Sequence, residues 1–258
     1  MWIKGFICAA LLSVFNAHCA APLPFVSSDY QPYHAPSMVD GGPLAVLVHT
    51  AFAAQNIDSN IAYMDWSQVL QQGNLPHVAG IVGGWNLTER HQQYYFSSPL
   101  CYNELRFFSL KKLQKRNLSQ IASSQPRLGL VQAYAYPKAV HQAGFTITTV
   151  LTDSELMQLL IDKKVDLVLA DTGTARFWHQ QQAPEIALYG SQLVLARKSM
   201  HLLINKQFPN ARQLMTQFEQ GLQQLAKSGQ WAQILAPLEL PATTKTAQPP
   251  ARALGLAQ

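Results

Sequence analysis

Charge is scarce in this chain: Asp, Glu, Lys and Arg make up 13% of the 258 residues, against 48% apolar ones. That balance excludes a disordered charged tail, a coiled coil and a collagen-like repeat, and leaves a folded globular protein of one large or two small domains. The 19 basic side chains outnumber the 14 acidic ones for a net charge of +5. They are scattered and never run longer than a pair, which argues against a nucleic-acid surface, where Lys and Arg gather on one face. Cysteine is rarer still, at Cys8, Cys19 and Cys101 only. No apolar run approaches the roughly 20 residues of a membrane span. The sequence also lacks GxGxxG, GxxxxGK[ST], GxSxG and HExxH, so the common phosphate cradles, the nucleophile elbow and the zincin helix are missing. Its histidines show no metal-ligand spacing, and no metal or cofactor is expected.

What is present begins with a leader. Lys4 precedes the apolar run from Gly5 to Phe15, followed by the small-residue stretch Asn16-Ala17-His18-Cys19-Ala20-Ala21. This is the grammar of a cleaved secretory signal over residues 1–21, and it predicts a soluble periplasmic protein. Cleavage near Ala20 or Ala21 removes Cys8 and Cys19, leaving Cys101 without an intramolecular disulfide partner. A lipid anchor on Cys19 is the rival reading, weakened by the bulk of His18.

After the leader, short β-rich runs alternate with helical ones, the signal for an α/β fold. Strands are predicted at 24–28, 60–64, 78–82 and 105–110, and helices at 44–55 and 66–72, the latter stopped by Gly73. A basic, solvated segment at 111–116 closes this half. The alternation then restarts, with strands at 127–131, 145–151 and 165–170 and helices at 137–143, 153–163 and from Asp171 through Trp178. Thr152-Asp153-Ser154-Glu155 has capping-box spacing. Ala211, Leu214, Met215, Phe218, Leu222 and Leu225 line one face of a further helix, ended by Gly229. A short helix at 231–235 follows, and residues 241–258 read as a disordered tail.

Ligands of open α/β sheets bind beyond the carboxyl ends of the strands. Four stretches occupy such positions: Ser28-Asp29-Tyr30-Gln31-Pro32-Tyr33, Met64-Asp65-Trp66-Ser67, Gly83 through Arg90, and Ala170-Asp171-Thr172-Gly173. Together they offer aromatic faces, one guanidinium and one carboxylate.

These stretches, with Phe96-Ser97-Ser98-Pro99, Val165 through Asp171 and Ser228 through Leu235, resemble the periplasmic solute-binding proteins of polar amino-acid ABC transporters, extracellular solute-binding protein family 3. The resemblance spans about residues 24–240. It implies a two-lobed periplasmic-binding-protein fold of type II, with two open mixed sheets, flanking helices and two crossing strands. Lobe 1 would be 22–105 plus 195–240, and lobe 2 would be 106–194. It further implies a non-enzymatic, monomeric protein that closes on a small zwitterionic ligand and delivers it to an ABC permease in the inner membrane. Arg90 would clamp the ligand carboxylate, since a planar fork suits it better than a point charge. Asp171 would receive the ammonium, Tyr30 and Trp66 would wall the ligand side chain, and the backbone of Gly83 and Trp85 would complete the head-group contacts.

The sequence departs from the family at instructive places. Trp85 stands where Ser or Thr is common, and Gln132-Ala133-Tyr134-Ala135 replaces a small turn that approaches the ligand. Val48 and Val78 stand where acidic residues are usual. Bulky Trp85 and Tyr134 would shrink the cleft, recast it for an aromatic or methylated cation, or mark a protein that no longer binds amino acids. A sensory or degenerate module is therefore an open alternative. A dehydratase-like enzyme on the same scaffold, with Asp171 or His34 as acid or base, is another.

Overall fold

The computed structural model describes residues 21–114 and 117–238. The leader, the Cys19 alternative, the C-terminal tail and the end of the basic segment lie outside them.

In chain order the elements are β1 (Leu23–Ser27), α1 (Pro43–Ala53), β2 (Ser59–Tyr63), α2 (Trp66–Gln72), β3 (Gly80–Trp85), β4 (Tyr94–Phe96), β5 (Cys101–Ser109), α3 (Leu118–Ala122), β6 (Arg127–Val131), α4 (Lys138–Gln142), β7 (Thr146–Val150), α5 (Asp153–Ile161), β8 (Leu167–Asp171), α6 (Thr172–Gln182), β9 (Tyr189–Gly190), β10 (Ala196–Asn205), α7 (Ala211–Ser228) and α8 (Gln230–Leu235). The two expected sheets are joined into one hydrogen-bonded ladder of order β2-β1-β3-β10-β5-β8-β6-β7, with β4 on β10 and β9 on β5. The outer pairs β1–β2, β1–β3, β6–β7 and β6–β8 are parallel, and the central strands are antiparallel.

Two strands cross between the halves. Residues 101–105 of β5 pair with β10, and from Leu105 onward β5 pairs with β8 instead. The other end of β10 pairs with β3 and β4, with a register shift at His201/Leu202. These are the least apolar long strands: Glu104 receives Arg106 at 2.9 Å on its own strand and Arg197 at 2.9 Å from β10.

Local signals in the sequence account for several boundaries. Thr152 Oγ1 accepts the Glu155 N–H at 3.2 Å and Glu155 Oε2 accepts the Thr152 N–H at 3.2 Å, closing the capping box that starts α5. Gly229, at φ +78, ends α7 in the left-handed conformation that glycine adopts without strain. The buried face of α7 (Leu214, Phe218, Leu222, Leu225) covers α1, where Phe52 meets Phe218 at 5.0 Å and Phe25 at 5.5 Å between ring centroids. Cys101 is buried, its Sγ 3.6 Å from Met200 Sδ, and burial pushes its thiol well up, so it acts as a small apolar side chain. No helix of the described residues is long and apolar enough to cross a membrane.

Candidate functional site

The carboxyl ends of β1 and β3 deliver their following loops to the same place. The loop after β1 turns back through a bridge between Tyr30 and His34, whose backbone N–H and C=O groups exchange bonds at 2.8 and 3.2 Å. β3 ends at Trp85, and a 3₁₀ turn at Thr88–Gln92 brings Arg90 back beside it. From the other half, the turn after β6 contributes Tyr134 and Ala135. Together with Ser28, Trp66 and Gly83 these residues line a cavity of about 30 Å³. Six of the seven residues expected at the site, Tyr30, Trp66, Gly83, Trp85, Arg90 and Tyr134, are thus brought together.

Asp171 is not among the lining residues. It sits at the end of β8 as the N-cap of α6, 3% exposed, accepting the Gly173 and Thr174 N–H groups at 3.0 and 3.2 Å and the Glu104 N–H at 3.1 Å. Tyr33, on the opposite half, donates its phenol to the same carboxylate at 2.5 Å. Three of these donors share Oδ2, and Oδ1 accepts the Glu104 N–H alone and keeps one acceptor position. Burial raises the Asp171 carboxyl, against the pull of these bonds.

Arg90 is 9% exposed and donates Nη1 to the Trp85 carbonyl at 3.3 Å. Its guanidinium carbon lies 5.3 Å from the centre of the Trp66 ring, a cation–π contact. Among the described residues no carboxylate lies within ion-pair distance of it, and burial lowers its pKa from the ordinary value.

Aromatic rings fill most of the space in front of Arg90. Tyr134 stands edge-on to Trp85 at 6.0 Å and to Tyr30 at 6.1 Å, and Tyr30 stacks on Tyr33 at 5.3 Å. Trp85 is fixed from behind by Nε1–H donation to Asn103 Oδ1 at 2.8 Å, and Tyr134 by donation to Asp153 Oδ2 at 2.7 Å. The remaining volume holds about one or two water molecules, so a larger guest requires Tyr134 to withdraw with its half of the molecule.

Sequence reasoning missed His34 as part of this wall, naming it only as an acid or base for an enzyme. It is 2% exposed, and its Nδ1 lies 2.9 Å from the Ser28 carbonyl and 3.2 Å from Ser27 Oγ, which itself donates to the Val82 carbonyl. A carbonyl partner assigns the proton to Nδ1 and leaves Nε2 as a lone-pair acceptor, and that atom has no partner. Gly83, at φ +80, lies against Nε2; a Cβ there would come within 2.3 Å of it. Nothing in the sequence distinguished His34 from a loop residue, although its place one residue after Tyr33, behind a strand end, was a cue. Tyr33, in the Ser28–Tyr33 stretch, takes a role that its place in the motif does not announce: its phenol binds the Asp171 carboxylate from the opposite half.

No protein-family model matches the chain, and no curated protein sequence matches it. Solved structures do match. One is a histidine kinase sensor domain with similarity to periplasmic binding proteins, 16% identical over 85% of this chain and 98% of that one, TM-score 0.74. Another is an ancestral arginine-binding protein bound to arginine, 16% identical over 84% and 98%, TM-score 0.73. A third is the arginine-, lysine-, histidine-binding protein ArtJ from the thermophilic bacterium Geobacillus stearothermophilus, 19% identical over 88% and 100%, TM-score 0.71. The chain has the two-lobed α/β fold of these periplasmic-binding-protein-like structures.

Proposed function

We propose that this chain is a solute-binding protein that captures a small carboxylate-bearing solute, of the amino-acid size class, between its two halves and delivers it to an ABC-type permease from the periplasm. The lobes of this reading are 22–105 plus 195–240 and 106–194. The observation that carries it is Arg90: a buried guanidinium, without a carboxylate partner among the described residues, on the wall of a cavity between the halves. Glu89 acts on this charge only from beyond ion-pair distance and does not offset its burial, and an anionic guest supplies direct compensation through a bidentate, charge-assisted pair. Trp66, Trp85, Tyr30 and Tyr134 serve as apolar walls, and the Gly83 backbone closes the floor. The similar structures named as arginine-binding and amino-acid-binding proteins support binding and release over turnover. A second reading, a sensory module, draws support from the sensor domain of similar fold and differs only in what the closed form contacts.

Thermal unfolding across a panel of amino acids and small hydroxy and keto acids tests this. A ligand at about 100 times its Kd adds ~2.7 kcal/mol of stability, and Arg90→Ala is expected to abolish that gain. No stabilisation by any carboxylate, or equal stabilisation of Arg90→Ala, overturns the reading.

A further inference from the structure

Two carboxylates of the second half are buried near the gap, and they are satisfied very differently. Asp171 accepts four hydrogen bonds. Asp153, at the start of α5 and 7% exposed, accepts one among the described residues, from the Tyr134 phenol at 2.7 Å. A buried carboxylate with a single neutral donor is poorly compensated as an anion. Its place in the first turn of a helix favours the anion by only ~0.3–1 kcal/mol, less than the cost of taking a carboxylate out of water.

The groups around Asp153 add no compensation. The turn after β6 brings Tyr134 and Tyr136, the end of β8 brings Asp171, and the loop after β1, from the opposite half, brings Asp29 and Tyr30. Both neighbouring carboxylates act on it as like charges. On the elements packed against α5, β7 carries no ionisable side chain, and Arg127 of β6 is paired with Asp166 at 2.8 Å. Arg176 and His179 of α6 line a groove with Phe108 and Leu188. Glu155 of α5 is held in the capping box, and Asp162 pairs with Lys164 past the far end of the helix.

Tyr134 is also the ring that the second half presents to the first, 6.0 Å from Trp85 and 6.1 Å from Tyr30. Separating the halves withdraws Asp29 and Tyr30 from Asp153 and opens Tyr134, its donor, to water. Both changes favour the anion, so the carboxyl holds its proton more tightly in the closed form than in the open one. We propose that Asp153 makes closure proton-dependent: protonated, it holds Tyr134 seated against Trp85 and Tyr30, and ionised, it favours the open form. The inference rests on the reading that the halves open and close around the cavity, not on which solute Arg90 receives.

Burial, with the charges of Asp171 and Asp29, lifts the Asp153 carboxyl to about 7 in the closed form. For a group raised in this way, closure is fully favoured below the open-form value and weakens as pH rises to about 7. A tenfold difference in acid strength between the two forms changes the open-to-closed ratio about tenfold.

Small-angle scattering of the ligand-free full chain at about pH 5 and about pH 8.5, either side of this window, tests the proposal. The unaltered protein is expected to have the larger radius of gyration at the higher pH. Asp153→Asn keeps an oxygen for Tyr134 and cannot ionise, so it is expected to give the compact value at both, with unchanged helix content by circular dichroism. Histidines that ionise in the same range do so in both proteins and are cancelled by the comparison. Tyr134→Phe keeps the ring and removes the only donor to Asp153. It is expected to move the expansion to higher pH, and it decides if the Asn variant does not fold. Equal radii of the unaltered protein at the two pH values overturn the inference, as does an Asp153→Asn protein that expands like the unaltered one, or an expansion that stays in place in Tyr134→Phe. The readout uses no solute, so its failure leaves the Arg90 reading to the thermal panel, and failure of the panel leaves this inference to the scattering.

Discussion

Two buried side chains beside the cleft, His34 and Asp153, are moved in opposite senses by burial. Loss of water lowers His34 to about 4, which keeps the imidazole neutral as an acceptor. The same loss lifts Asp153 from 3.8 to about 7, against the bond from Tyr134 and with help from Asp171 and Asp29. For an acid whose folded-state pKa is raised, the associated stability is fully present below the unfolded value and is lost as pH rises through the folded one. Asp153 therefore costs stability progressively between pH 3.8 and about 7. Asp153→Asn keeps an oxygen for Tyr134 but cannot ionise. Relative to the unaltered protein, it is expected to gain a few kcal/mol between about pH 4 and 7. Urea unfolding at several pH values reads this directly, and parallel pH curves for the two proteins would contradict it. Legibility at this scale follows from how many jobs a residue type can do. A carboxylate at a strand end before a helix fits both a cap and an ammonium site. Only the position of Tyr33, 138 residues earlier in the chain, shows that Asp171 holds a partner from the other half besides capping α6.

At the scale of elements, the helices with an apolar stripe and the strands with unbroken apolar runs were readable, because burial on one face imposes their period. β10 was not. Its first half, Ala196-Arg197-Lys198-Ser199, is polar because it runs between the halves where Glu104 collects charge, and β5 opens on Cys101-Tyr102-Asn103-Glu104 for the same reason. The crossing strands came from the family resemblance, not from periodicity. β3 begins at Gly80 instead of Val78 and continues through Gly83-Gly84-Trp85, since pairing with β10 holds glycines that propensity alone would assign to a turn. The packing of α7 on α1 shows how such tertiary demands outweigh propensity. A Cβ on Gly221 would stand 1.9 Å from the Ala51 carbonyl oxygen. Alanine at a helix interior gains up to ~1 kcal/mol over glycine from backbone entropy, but here the two helices would have to separate. Gly221→Ala is expected to lower stability by about 2 kcal/mol net, as measured by chemical denaturation. A stabilised variant would show that α7 moves freely on α1.

For the molecule as a whole, the pattern of two α/β halves was legible and their closure was not, because closure depends on side chains from distant segments meeting across the gap. Trp85 and Tyr134 stood out as bulky departures from the family, and the structure shows where that bulk goes: into the space between the halves. Among the described residues, the β1 loop reaches the end of β8 through the hydrogen bond from Tyr33 to Asp171. Ring edges of Tyr134 on Trp85 and Tyr30 also span the gap, worth ~0.5–1.5 kcal/mol each. A charge-assisted bond of this kind contributes ~1.5–3 kcal/mol, so it outweighs any single ring contact in holding the halves together. Tyr33→Phe removes the hydroxyl, keeps the ring stacked on Tyr30 and leaves Asp171 with its three backbone donors, so the α6 cap survives. The open form should then gain about tenfold or more in population relative to the closed one. Small-angle scattering of the ligand-free protein is expected to give a larger radius of gyration for Tyr33→Phe than for the unaltered chain, at unchanged helix content. Identical scattering curves would mean that the rings alone hold the halves closed and that the Tyr33–Asp171 bond is incidental to the motion.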